Sequence, residues 1–105
     1  MKTYYFYILT DKNQKIFHLD ISDDVLIGVN EFRSRDEIDS PKKNKFEFKL
    51  VYFEKAGNIT EAIKYKKQLQ KWNDVWKKIL IEKFNPGWKD LYPELMLSSK
   101  SREWG

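Results

Sequence analysis

Residues 3–21, Thr-Tyr-Tyr-Phe-Tyr-Ile-Leu-Thr-Asp-Lys-Asn-Gln-Lys-Ile-Phe-His-Leu-Asp-Ile, decide how the chain begins to fold. Thr3 to Leu9 carries aromatic and β-branched side chains, the types that suit a pleated, half-buried surface, and reads as a strand. Asp11-Lys12-Asn13-Gln14 is a polar turn, and Lys15 to Ile21 is a second extended run bounded by turn formers. The two runs with one short turn between them predict an antiparallel hairpin.

Working outward, Ser22 or Asp23 is placed to cap a helix starting near Asp24 and ending about Arg33. The helical reading competes with a strand, because Val25-Leu26-Ile27-Gly28-Val29 holds three β-branched residues and a glycine. Arg33 to Lys45, interrupted by Ser40-Pro41, reads as a surface loop, and Phe46 to Glu54 reads as the third strand. After Gly57-Asn58, Thr60 is the expected N-cap of a long helix with Ala62, Ile63, Leu69 and Trp72 as its apolar stripe. Asn73 or Asp74 caps a further helix, whose expected inward residues are Val75, Trp76, Ile79, Leu80 and Phe84, and Asn85-Pro86-Gly87 ends it. Trp88, Leu91, Tyr92 and Leu95 are expected to fold back as a short packed segment. The whole is an α/β (α+β) domain over residues 1–97, a three-stranded antiparallel sheet flanked by helices, with 98–105 as a flexible tail.

The length, 105 residues, supports one modest core and no second domain. Absence of cysteine excludes disulfides and thiolate metal sites and fits a cytoplasmic protein. The apolar run near the start is too short to span a bilayer and lacks a cleavage pattern, so neither export nor a membrane partner is expected. Net charge is +4, unevenly divided: residues 1–41 sum to −3 and residues 42–105 to +7. A basic second half suits phosphates; an acidic first half repels them within about 10 Å at moderate salt. Lys64, Lys66, Lys67, Lys71, Lys77 and Lys78 are the candidate nucleic-acid-binding residues. Tyr65, Trp72 and Trp76 are potential stacking partners, although tryptophans on a helix more often belong to a core.

Tyr4-Tyr5-Phe6-Tyr7-Ile8-Leu9-Thr10 resembles the opening of the small stand-alone bacterial proteins of the GIY-YIG nuclease superfamily. Leu50 to Glu54, Glu61-Ala62-Ile63, Lys67-Gln68-Leu69, Lys71-Trp72, Leu80-Ile81-Glu82 and Phe84-Asn85-Pro86-Gly87-Trp88-Lys89-Asp90-Leu91-Tyr92 resemble its later elements more strongly. The resemblance implies a nuclease fold in which a tyrosine, an arginine and a glutamate holding one divalent cation cut nucleic acid. An attacked phosphodiester develops negative charge that a guanidinium and a hard cation offset. By gapless counting Tyr7 keeps the first motif tyrosine, but the second is His18, the arginine falls on Gly28 with Ile27 before it, a histidine falls on Phe32, and the metal-binding glutamate falls on Lys66. An ammonium donates hydrogen bonds and does not coordinate Mg²⁺.

The remnant cleft is therefore Tyr7, His18, Gly28, Phe32 and Lys66, with no metal site and no cofactor expected. Mg²⁺ enters only under the alternative of an endonuclease with relocated catalytic residues. His18 is a candidate general base in that alternative, against the plainer reading of a half-buried strand histidine. Lys66 either meets a phosphate or pairs with Asp20. Asp20, Asp23 and Asp24 are a candidate metal cluster, against the plainer reading of a capped helix start. Ile27 and Phe32 put apolar atoms where the family presents charge, which suggests a protein partner or self-association through that region. The expectation that leads is a catalytically degenerate nuclease-like domain serving as a nucleic-acid-binding or regulatory module.

Overall fold

The computed structural model describes residues 3–34 and 48–104, of which 99–104 are described by their backbone alone. Strands β1 (Tyr4–Thr10), β2 (Phe17–Ser22) and β3 (Lys49–Ala56) form one antiparallel sheet in the order β2-β1-β3. Helices α1 (Val25–Ser34), α2 (Ile59–Gln70), α3 (Asp74–Phe84) and α4 (Tyr92–Trp104) complete the chain. The α+β class and the order of the first six elements are as the residue patterns predict, whereas the fourth helix, α4, replaces the short packed segment expected there. α4 continues as helix through the residues 98–104 that composition assigns to a tail. The loop expected to Lys45, beyond Ser34, and the start of the third strand at Phe46 lie outside the described residues.

The hairpin turn is closed by Asp11, whose Oδ1 accepts the amides of Lys15 (2.8 Å) and Ile16 (2.9 Å), while Gln14 takes a positive φ of 58°. Alternation along β1 sends side chains to two covered faces. Phe6 and Ile8 join Leu19, Val51, Leu69 of α2 and Ile81 of α3 on one side; Tyr7 and Leu9 join Val25 and Val29 of α1, Phe48, Leu50 and Leu91 on the other. The central strand is thus buried on both faces, which is why it reads as a nearly continuous apolar run.

Residues 25–34 are helical despite their β-branched content, because burying Val25 and Val29 against the sheet outweighs a propensity deficit of a few tenths of a kcal/mol per residue. The cap is Asp24 rather than Ser22 or Asp23: its Oδ1 accepts from Leu26 N (3.0 Å) and Ile27 N (3.3 Å). At α2 the cap is Asn58 rather than Thr60. Asn58 Oδ1 accepts from Glu61 N and Glu61 Oε2 accepts from Gly57 N, each at 2.9 Å, which begins the helix earlier than expected. Asn73 caps α3 as expected.

The expected apolar stripes are half corrected. Ala62 and Leu69 are buried, but Ile63 and Trp72 are exposed. In α3 the inward residues are Ile81 and half-buried Leu80, whereas Val75, Trp76 and Ile79 face outward. This helix has two apolar faces, and periodicity alone does not choose between them. Phe84, although 46% exposed, lays its ring against Tyr52 and Phe53 with centroids 4.9 and 5.3 Å apart.

Candidate functional site

Antiparallel register sets Tyr7 opposite Asp20 and Leu9 opposite His18, so His18 and Asp20 share the sheet face that carries Tyr7. Helix α1 crosses that face and brings Gly28 and Phe32 down onto it. Lys66 arrives from α2 at the edge strand β2. The contacts form two pairs, Gly28 against Tyr7 and Phe32 against His18, while Lys66 is joined to them through Asp20.

What they build is filled. Tyr7 is 1% exposed, and a Cβ on Gly28 would stand 2.4 Å from the Tyr7 hydroxyl, so the phenol occupies the volume that any larger residue at 28 would need. The His18 and Phe32 rings stack at 4.5 Å with 29° between planes, and Phe32 continues to Phe48 at 5.2 Å. This corrects the idea of an apolar patch at Ile27 and Phe32. Phe32 is used internally, and Ile27, 53% exposed, stands apart from it on the outer side of α1.

Asp20 is the electrostatic hub. Its Oδ2 lies 3.6 Å from His18 Nε2, its Oδ1 lies 3.7 Å from Lys66 Nζ, and Oδ1 also accepts the Ile21 amide at 2.8 Å. The His18 imidazole, longer in reach than a well-formed hydrogen bond, is the foremost influence holding the carboxyl below its ordinary value. Partial burial opposes it, and the Ile21 amide and Lys66 add to it. Depression of a folded-state carboxyl pKa means that Asp20 stabilises the fold fully above its unfolded value near 3.8 and that this contribution fades as pH falls through the lower folded value. Replacing Lys66 by Met is expected to raise the Asp20 titration midpoint measured by carboxyl NMR. An unmoved midpoint would show that the 3.7 Å pair is not felt.

The pair between Lys66 and Asp20 decides between the two fates of Lys66 raised by the sequence. It also puts a cation at the position to which the resemblance assigns a metal-binding carboxylate. Among the described residues no three His, Asp or Glu side chains are grouped to hold a metal ion. Asp24 spends its carboxylate on the α1 cap, so the cluster of Asp20, Asp23 and Asp24 suggested by sequence is not assembled as a cation site. The residues present do not fit the divalent cation that the resemblance implies.

Of the six candidate lysines, Lys66 faces Asp20 and Lys77, only 12% exposed, reaches Asp74 at 3.9 Å. Lys64, Lys67, Lys71 and Lys78 are exposed, and among the described residues none has a carboxylate within ion-pair distance. Lys64, Lys67 and Lys71 recur at helical spacing along one outer line of α2 and its cap. Trp72 at the end of this line is exposed, contrary to the core role expected of it.

Two open grooves share Phe53 of the edge strand β3. One, of about 370 Å³, is bounded by Tyr5, Asp24, Phe53 and Leu95, and the other, of about 540 Å³, by Phe53, Phe84, Pro86 and Lys89. Sequence reasoning quoted Asn85 to Tyr92 for its resemblance and assigned no bracing role to Asn85 or Asp90. Buried Asn85 donates to the carbonyls of Val51 (3.3 Å) and Lys89 (2.9 Å), and Asp90 accepts from Leu50 N, Tyr92 N and Arg33. Polar residues in the Asn85 to Asp90 stretch, set between apolar ones, were the available signal. Comparison with known protein families, with curated proteins and with solved structures gives no match.

Proposed function

We propose that the chain is a nuclease-like domain of the GIY-YIG type that binds nucleic acid without cutting it. The observation that carries this reading is the unpaired, exposed line of Lys64, Lys67 and Lys71, joined by Lys78, on the basic half of the molecule. Each such lysine displaces a condensed counterion from a phosphate backbone, which yields sequence-independent, salt-sensitive affinity. Loss of cleavage follows from chemistry at the cleft. The scissile phosphate would find Gly28 and a filled volume in place of a guanidinium, and Lys66 in place of a carboxylate, so the charge developed in attack has no offset there.

The test is oligonucleotide binding by fluorescence anisotropy with Mg²⁺ present. With four free lysines in contact, log affinity is expected to fall with log salt with a slope of about −3 to −4. Lys64→Glu, Lys67→Glu and Lys71→Glu together should flatten that slope and weaken binding more than about tenfold between 50 and 200 mM salt. Lys12→Glu, a charge reversal in the exposed hairpin turn, should change little. The oligonucleotide should be recovered intact. No binding at low salt, or an equal effect of the two sets of substitutions, would end this reading; metal-dependent fragments would favour the endonuclease alternative.

A further inference from the structure

Helix α3 presents an apolar ridge that its own domain does not use. Val75, Trp76 and Ile79 are 63%, 56% and 40% exposed, and Trp72 just before the helix is 40% exposed, while Ile81 on the opposite side is fully buried. Positions 75, 76 and 79 repeat at three and four residues on α3, the spacing by which one helix fits its ridge into the groove of another, and Trp72 stands before the extended N-cap Asn73. We propose that this ridge is the docking face for an amphipathic helix with acidic flanks, supplied by another protein.

Charge selects the occupant. Lys78 and Lys83 of α3 and Lys71 just before it are exposed, and across residues 71–83 four lysines face two carboxylates, Asp74 paired with Lys77 at 3.9 Å and Glu82, so the stretch carries a net positive charge. A second copy docked through the same face would set these lysines against their own equivalents, which is unfavourable in the self-complementary interface of a two-fold dimer. A nucleic acid strand would satisfy the lysines and stack on the tryptophans, but stacking has no use for the aliphatic Val75 and Ile79 that share the ridge. A helix carrying leucines on one face and glutamates beside them satisfies all of these groups at once. The inference goes beyond nucleic-acid binding and shares with it only Lys71 and Lys78.

The experiment uses the full chain and a synthetic helical peptide of about 20 residues, long enough to hold a helix, with leucines at heptad spacing and glutamates at the flanking positions. Its counterpart carries lysines in place of the glutamates. Tryptophan emission should shift to the blue in a saturable way with the acidic peptide and not with the basic one. Ile79→Ala and Trp76→Ala, both at exposed positions where unfolding temperature should hold, are expected to weaken binding at least tenfold. Lys71→Glu with Lys78→Glu and Lys83→Glu should exchange the preference for the two peptides. The proposal is overturned by an absent shift, by Ile79→Ala binding as well as wild type, or by charge reversal without exchange of preference. It is equally overturned if an oligothymidylate alone produces the Trp76-dependent shift, or if the wild type self-associates and Ile79→Glu abolishes that.

Discussion

Replacing Asp90 by alanine is expected to destabilise the protein by roughly 2–4 kcal/mol, the largest effect of any single substitution outside the apolar core. One carboxylate holds three parts of the fold together. Oδ1 accepts from Leu50 N and Tyr92 N, both at 3.1 Å, and Oδ2 pairs with Arg33 at 3.1 Å. Arg33 in turn donates to Phe48 O at 2.8 Å and lies 5.0 Å over the Tyr92 ring. Truncation would strand the amide of fully buried Leu50, at about 1–3 kcal/mol, and leave an arginine only 16% exposed without its counter-charge. The partial exposure of Asp90, 31%, keeps the total below what a wholly buried pair would lose, about 3–5 kcal/mol.

For a domain of this size such a loss lowers the melting temperature by about 10 °C or more. Asp90→Asn separates the contributions: its amide oxygen can still accept from Leu50 and Tyr92 while the charge on Arg33 goes unanswered, so it should lose less than alanine does. Urea unfolding of the two variants reads this directly. An alanine variant within about 0.5 kcal/mol of wild type would show that the β3 edge is held by other groups.

The bracing at Asp90 also shows which parts of the molecule were legible in the sequence. The strands and the order of the first six elements were, because each leaves a local pattern: aromatic and β-branched runs for β1 and β3, a polar turn at Asp11 to Gln14, Asn73 before α3. The proximity of Gly28 to Tyr7 and of Phe32 to His18 has no local signature in the sequence, because each pair is set by how α1 lies on the sheet. The link from Arg33 to Asp90 joins positions far apart in the chain and is invisible to periodicity.

Helix α3 failed for a different reason. Its eleven residues carry apolar side chains on both sides, so burial of Ile81 rather than Ile79 is set by how α3 meets β3, a tertiary fact. The cap of α2 was readable and misjudged: Asn58 with Glu61 three residues later is as good a capping signature as Thr60, and the reciprocal bond to Gly57 N settles it.

Gly28 is where the proposed lack of nuclease chemistry can be tested as a packing problem. Gly28→Ala would ordinarily strengthen a helix interior by up to about 1 kcal/mol. Here it is expected to destabilise by about 1–3 kcal/mol, because the new methyl group would stand 2.4 Å from the Tyr7 hydroxyl, 3.0 Å from Cζ and 3.2 Å from Cε1. Tyr7 is enclosed between the sheet and α1 and has no free path outward. Adding Tyr7→Phe removes the closest atom, so the double variant should be more stable than the sum of the single effects by about 1 kcal/mol. The ring carbon at 3.0 Å prevents full recovery.

The same crowding bears on function. Installing the charges that the resemblance implies, with Gly28→Arg and Lys66→Glu, should not confer metal-dependent cleavage of an oligonucleotide, since the guanidinium stem would enter space held by the phenol, and Asp20 would face a second carboxylate in place of its ammonium partner. Cleavage by that variant, or a Gly28→Ala protein more stable than wild type, would mean that Tyr7 yields its position easily and that the cleft opens to a substrate after all.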